Sequence, residues 1–395
     1  MKAAYLVLTI SGMALYAITA CQSNAAYNKE KKNKPDTPQV EVLSESALAV
    51  LNSPVTKAQQ AELNSFYRDM VRAGFNGAMV VAKKGVIIFE QYRGLENYRN
   101  RNSTINDSSS FQLASVSKTF TAMGILSLME KGQLSLQDSV QKYYPQFPYK
   151  GINLQMLLSH RSGLPNYLYF CDSIWPDKDK FLSNDDVIQL MVNHRPRIQY
   201  KPGTHFQYCN TNYMLLGAII EKVSGQKYAE FMQQTFFGPL GMTNTFVYDP
   251  TSAVRPHQTA SHRYNGQLEP DTYFDGVVGD KGIYSTARDM LKWDQALYGG
   301  QLFTSETIKA AYTPYSNEKP GIRNYGLGWR LMVYPDSSEI VYHNGWWHGN
   351  NTVFNRIIKD TSTIIILGNK YNRNIYRAVK PVSAILGHGT EDGEE

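Results

Sequence analysis

A serine hydroxyl is a poor nucleophile at neutral pH and becomes a useful one when a base within reach takes its proton. A lysine three residues after a serine on a helix shares its face and can supply that base. Ser-x-x-Lys occurs at Ser115, Ser139, Ser224 and Ser316, so the pattern alone carries nothing. Ser316-Asn317-Glu318-Lys319 lies in a polar stretch between prolines, Ser224 opens onto Gly225, and Ser139 runs toward Pro145 with no apolar helix behind it. Only Ser115-Val116-Ser117-Lys118 opens an apolar run. There the hydroxyl would stand at a helix N-terminus, whose free N–H groups and dipole favour a developing anion.

Two further patterns can serve that chemistry. Tyr-x-Asn occurs at Tyr98, Tyr208 and Tyr315. Tyr208-Cys209-Asn210 stands apart, because Lys201-Pro202-Gly203 precedes it and an apolar helix follows. Such a turn can hold two side chains over a cleft; the plainer reading of Asn210 is a helix cap. His-x-Gly occurs once, at His343-Asn344-Gly345, on the end of a predicted strand. Glycine in a strand often marks the close approach of a ligand or another backbone. The plainer reading is a satisfied strand-end histidine before a Trp346-Trp347 core pair. His343 and His348 stand five apart and no His-Glu-x-x-His is present, so neither a metal nor another cofactor is expected.

These residues need elements to hold them. Ser115–Lys131 is apolar nearly all round, the pattern of a helix buried on every side. Thr211–Val223 is a second helix, stopped by Ser224-Gly225. Thr56 can cap a helix with apolar positions Leu63, Phe66, Tyr67, Met70 and Val71, ending at Gly74. Ala78–Ala82 and Val86–Glu90, joined by Lys83-Lys84-Gly85, read as a hairpin. Trp329–Tyr334, Glu339–His343, Thr352–Lys359 and Thr363–Leu367 read as strands, and a helix kinked at Pro381 follows from Ile375. The fold class is α+β: an antiparallel sheet from both chain ends, flanked by terminal helices, with a mainly helical subdomain over about 111–300 inserted between.

Composition narrows the function classes. The net charge of +6 comes from 40 Lys+Arg against 34 Asp+Glu, and Lys29–Lys34 holds half of it. The rest is nearly balanced, so no nucleic-acid surface is expected. After residue 20 no run of 18 apolar residues appears, which excludes a multi-span membrane protein. Lys2 and the apolar run Ala3–Ala20 read as a secretory signal peptide, 1–20. It ends Ile18-Thr19-Ala20-Cys21, which resembles a bacterial lipobox, so Cys21 would carry a lipid that holds the protein on the membrane. The alternative is an uncleaved signal anchor; either puts the protein outside the cytoplasm, in the cell envelope. Residues 21–52 would be the lipidated N-terminus and tether, 53–388 the folded domain, and 389–395 an acidic tail. Cys171 and Cys209 read as buried thiols, with a bridge permitted by that compartment.

Ser115, Tyr208 and His343, spaced 93 and 135 positions apart, follow an order that resembles the serine β-lactamase and D,D-peptidase superfamily, in the branch related to class C β-lactamases. Leu157–Leu164, Pro202-Gly203 through Gly217, Pro239–Met242, Ile283–Asp289 and Tyr325–Trp329 agree with it, and together they cover about residues 75 to 370. The resemblance implies a serine hydrolase acting through an acyl-enzyme on an amide, peptide or ester. Ser115 would be the nucleophile; Lys118 and Tyr208 would share general-base work. Asn210 would orient Lys118 or the substrate, and His343 and Gly345 would lie on the edge strand beside it. The N–H groups of Ser115 and Trp346 would form the oxyanion hole.

A free lysine has a pKa of about 10.4 and acts as a base when burial or a neighbouring positive charge lowers it. The buried helix would supply the first and His343, if protonated, the second, although a histidine is largely neutral at pH 7. His-Asn-Gly stands where class C β-lactamases carry Lys-Thr-Gly, which moves the expectation toward D,D-peptidases, D-amino-acid peptidases and esterases. Gly279-Asp280-Lys281-Gly282 departs from the small residues usual there. Either charge could select a substrate, or the two could form a surface ion pair. Tyr167, Tyr169, Phe170, Trp175 and Trp346-Trp347 could stack on an acyl group or lie in the core. The rival reading is a catalytically silent binder of cell-wall peptides or penicillins; a structural lipoprotein leaves the Ser-Lys helix unexplained.

Overall fold

The computed structural model describes residues 43–298, 300 and 302–389. The signal peptide, Cys21, the tether up to residue 42 and the tail past 389 lie outside the described residues. Residues 45–52, assigned above to the tether, are helical: the Ala47 N–H is taken by Ser44 Oγ and Glu45 sits in the first turn. Both features stabilise a helix N-terminus. No described helix is long and apolar enough to cross a membrane.

From Ala49 onward one compact unit forms around a seven-stranded antiparallel sheet. Its strands are β1 (Gly77–Lys83), β2 (Val86–Arg93), β3 (Arg323–Tyr325), β4 (Arg330–Val333), β5 (Glu339–Trp347), β6 (Asn350–Ile357) and β7 (Ser362–Gly368), in the order β2-β1-β7-β6-β5-β4-β3. The two chain ends meet where β1 pairs with β7, Met79 opposite Ile366 and Val81 opposite Ile364. Those four side chains pack beneath the terminal helices α1 (Pro54–Arg72) and α5 (Val379–Ile385), with Leu63, Tyr67 and Val382. Their alternates Ala78, Val80, Ile365 and Leu367 face the inserted part. Strands buried on both faces have no polar alternation, which is why they read as continuous aliphatic runs.

The helix α1 starts at Pro54 rather than at a Thr56 cap, because proline is preorganised for the first helical position. The break in the last helix falls at Ala378, three residues before Pro381. The proline then sits in the first turn of α5, where its missing N–H costs nothing.

Within 111–300, α2 (Ser117–Glu130), α3 (Asn210–Ser224) and α4 (Ala287–Ala296) dominate. Every residue of α2 from Ser117 to Leu128 is buried, and Gly225, in the left-handed region, ends α3. This part also holds a sheet of three short strands, Phe111–Gln112, Phe246–Val247 and Ile283–Ser285. Strands of two or three residues are too short to leave a periodic signal. A fully buried ion pair ties α4 to β6: Arg356 Nε lies 2.6 Å from Asp294 Oδ1, and Thr363 Oγ1 donates to Asp294 Oδ2 at 2.7 Å.

Candidate active site

Ser115 does not lie on α2 itself. A single 3₁₀ turn, Ala114–Val116, leads into it. Leu113 ties that turn to the short sheet through its N–H to Ile283 O at 2.8 Å. Ala114 has φ +51°, a left-handed conformation that stores strain at a non-glycine residue. The result is that Ser115 is partly exposed while Ala114 and Val116 beside it are buried.

One turn on, Lys118 is fully buried. Its Nζ donates to Ser115 Oγ at 3.0 Å and to the Asp280 carbonyl at 2.7 Å, and it stands 5.1 Å from the Tyr208 ring centroid. The Tyr208 hydroxyl is buried and takes no hydrogen bond among the described residues, and neither does Asn210 Oδ1. Asn210 is the first residue of α3, after Cys209 at the cap position, so it does not cap the helix.

Burial keeps two histidines beside these residues neutral. His343 is fully buried; its Nδ1 faces the Asn344 carbonyl at 2.7 Å and its Nε2 the Tyr325 hydroxyl at 3.2 Å. A carbonyl can only accept, so Nδ1 carries the proton and Nε2 accepts from Tyr325. Burial first, then Arg330 and Lys118, hold this ring well below the ordinary imidazole value. The condition under which His343 would act on Lys118, a protonated ring, is therefore not met, since burial disfavours the charged form. The cation in that position is Arg330, whose guanidinium lies 5.2 Å over the Tyr208 ring. His160 was not foreseen as a site residue. Its Nδ1 accepts the Cys209 N–H at 3.2 Å and faces Asn212 Nδ2 at 3.1 Å, and its ring lies 4.3 Å from that of Tyr208. Burial keeps it neutral, which leaves Nδ1 free to hold the Tyr-Cys-Asn turn. The His-Arg-Ser-Gly-Leu stretch at 160–164 was the sequence signal for it.

Facing Ser115, β4 pairs with β5 only as far as Tyr342, so β5 from His343 to Trp347 leaves that edge to the serine turn. A Cβ at Gly345 would lie 2.2 Å from Leu113 O and 2.3 Å from Thr352 Oγ1; only glycine admits this approach. Trp346 is 62% exposed at the rim, its Nε1 held by His348 O at 2.9 Å.

Other expectations resolve as follows. Cys171 and Cys209 are free buried thiols, and burial pushes Cys171 up to about 12. Tyr167 is buried, Tyr169 exposed, and Phe170 and Trp175 pack against the core. Asp280 and Lys281 are no surface pair, being 1% and 3% exposed. His348, not His343, joins Asp271 and Asp275 in a group with ligand atoms within 4.8 Å of one another. These atoms already take hydrogen bonds from Tyr248, Trp347 and His348.

The sequence profile of the beta-lactamase family matches residues 63–385. A penicillin-binding protein of Bacillus subtilis (strain 168) is 34% identical over 327 residues, covering 78% of this chain and 72% of that protein. The octameric penicillin-binding protein homologue from Pyrococcus abyssi superposes with a TM-score of 0.72 at 26% identity, over 83% of this chain and 78% of that one. D-amino acid amidase from Ochrobactrum anthropi SV3 shares the fold, with a TM-score of 0.69 at 24% identity over 85% of this chain and 99% of its own. The matched residues take in the serine turn, the Tyr-Cys-Asn segment and the His-Asn-Gly strand, and the chain belongs to the beta-lactamase family.

Proposed function

We propose that this protein is an envelope-anchored serine hydrolase that transfers an acyl group through Ser115, and that its substrates are peptides or amides ending in a D-amino acid, or related esters. The observation that carries the reading is the 3.0 Å contact between Lys118 Nζ and Ser115 Oγ in a buried setting. In the reacting state Lys118 is the neutral amine and, with Tyr208, removes the Ser115 proton as Oγ bonds to the substrate carbonyl carbon. The N–H groups of Ser115 and Trp346 stabilise the oxyanion. Collapse expels the amine or alcohol, which takes the proton, and water then cleaves the acyl-enzyme by the reverse relay. Asn210, with its unpartnered amide oxygen, orients Lys118 or a substrate N–H.

Substrate class follows from the strand opposite. A neutral His343 in place of a lysine removes a permanent charge from the floor of the cleft, which supports peptidase or esterase work over dedicated β-lactam hydrolysis. Similarity to a putative D-alanyl-D-alanine carboxypeptidase of Escherichia coli (strain K12), 29% identical over 309 residues, supports D-configured peptide ends. Lipidation at Cys21 would tether the domain to the membrane.

Intact-mass spectrometry of a chain lacking the first 35 residues tests this, after incubation with a fluorophosphonate and separately with a penicillin. One adduct from each, both lost in Ser115→Ala, is the expected result. Labelling by the phosphonate alone moves the substrate to esters and other peptides. No adduct from either reagent refutes the enzyme and leaves a silent binder.

A further inference from the structure

The Gly279-Asp280-Lys281-Gly282 segment takes no part in the steps above, yet it buries two opposite charges beside them. Tyr167 OH donates to Asp280 Oδ2 at 2.9 Å, and Lys281 Nζ donates to the same phenol oxygen at 2.5 Å. Lys281 Nζ also lies 3.5 Å from Asp280 Oδ1, which closes a ring of three side chains with no net charge. The Trp347 ring covers the ammonium at 4.9 Å. Burying such a pair is costly, and a structural role alone is served as well by apolar residues.

The backbone of the same segment is laced to the nucleophile turn. The Asp280 carbonyl accepts from Lys118 Nζ at 2.7 Å and the Gly279 carbonyl from Thr121 Oγ1 at 2.6 Å. Next along, the Ile283 N–H donates to Ser117 Oγ at 3.1 Å. Gly279 and Gly282 have φ of +100° and +92°, and a Cβ at Gly279 would lie 2.3 Å from Tyr213 O. The glycines thus let one short stretch send its carbonyl to Lys118 and its carboxylate to Tyr167 and Lys281.

We propose that Asp280, Lys281 and Tyr167 are positioning residues for the acyl transfer: a charge-neutral anchor that fixes the Asp280 carbonyl against Lys118 and stops either charge from acting on that amine alone. The inference rests on the Ser115–Lys118 reading above. The titratable groups around Lys118 are His160, Tyr208, Cys209 and Tyr213 from the α3 side, His343 of β5 with Arg330 of β4 beside it, and Lys281. The histidines are neutral and burial pushes the Cys209 thiol up. The charges in play there are therefore Arg330, the Asp280–Lys281 pair and, on the far side of Lys281, Asp275; burial pulls the Lys281 ammonium down, and Asp280 and then Asp275 hold it up.

Removing one member uncovers the other. A unit charge about 6 Å away, at an effective dielectric near 20, moves a proton equilibrium by about two pH units, and by proportionately less at longer range. The test measures, against pH, the rate at which a fluorophosphonate phosphonylates Ser115 with loss of fluoride. Lys281→Met leaves the Asp280 charge to hold a proton on Lys118, so the midpoint of the profile moves up. Asp280→Asn leaves the Lys281 charge to expel it, so the midpoint moves down. The double variant Asp280→Asn/Lys281→Met returns to the wild-type midpoint. A merely structural pair would lower the plateau in both single variants without opposite displacements, and that result, or no displacement, overturns the inference while the labelled wild type still upholds the Ser115 reading. An unlabelled wild type overturns both. If a single variant fails to fold, a double variant that folds with the wild-type midpoint upholds the mutual dependence, and a double variant that fails to fold overturns it.

Discussion

Gly345→Ala tests whether the approach of β5 to the serine turn sets the reaction geometry. The added carbon would lie 2.2 Å from Leu113 O, 2.3 Å from Thr352 Oγ1 and 3.1 Å from the Ala114 Cβ. A carbon needs about 3.3 Å from an oxygen, so the turn must recede by about 1 Å. It cannot do so freely, because Leu113 O accepts Thr352 Oγ1 at 2.8 Å and the Val116 N–H at 3.1 Å. Overpacking of this kind costs about 1–3 kcal/mol, a fall of about 1–4 °C in Tm for a domain of this size. The loss of rate is larger in proportion, since a 1 Å misplacement of a reacting atom costs about 10²-fold. The assay pairs the kinetics of Ser115 phosphonylation by a fluorophosphonate with thermal unfolding. Gly132→Ala is the control: Gly132 has φ +68° but open space around it, so that variant loses stability and keeps its rate. A folded Gly345→Ala protein that reacts with the fluorophosphonate within about threefold of the wild-type rate would refute the reasoning.

The Tyr208 hydroxyl is buried without a partner, so Tyr208→Phe should hold or raise Tm while lowering acylation by about 10²-fold or more; a parallel loss of both would show a structural role. Asp294→Ala strands the buried Arg356 guanidinium and should cost about 3–5 kcal/mol in urea unfolding, with Asp294→Leu/Arg356→Met recovering most of it. A single variant within about 1 kcal/mol of wild type refutes this. His160 and His343 sit well below the ordinary value of 6.5 in the folded chain, so below that pH the unfolded chain binds protons the folded one refuses. Stability should be level above pH 6.5 and fall as pH drops beneath it, by up to about 1.4 kcal/mol per unit for each ring. Urea midpoints that stay level from about pH 7 to pH 5 would contradict it.

The neutral His343 changes how the cleft handles charge. With both ring nitrogens committed to Asn344 O and Tyr325, it serves as a fixed wall rather than a cation. The permanent charge near Tyr208 comes instead from Arg330, which enters from the neighbouring strand β4. Sequence spacing gave no hint of this, because residues 13 positions apart in the chain met only when β4 folded back on β5.

What the sequence by itself determined is the local grammar. Aliphatic runs at both chain ends made β1 and β7, an all-round apolar stretch made α2, and Gly225 stopped α3. The spacing of Ser115 and Lys118 also survives the change from helix to 3₁₀ turn, since three residues bring two side chains together in either. What only the tertiary structure decided are properties of distance and burial. Asp280 and Lys281 look like a surface pair in the chain, and become an interior one because Tyr167 and Trp347 close over them. His343 looks like a titratable group at neutral pH, and loses its charge because it is fully enclosed. His160 reaches the Tyr208 turn across 48 residues of sequence. Dielectric environment and long-range contact depend on which segments pack together, and no window of neighbouring residues encodes them.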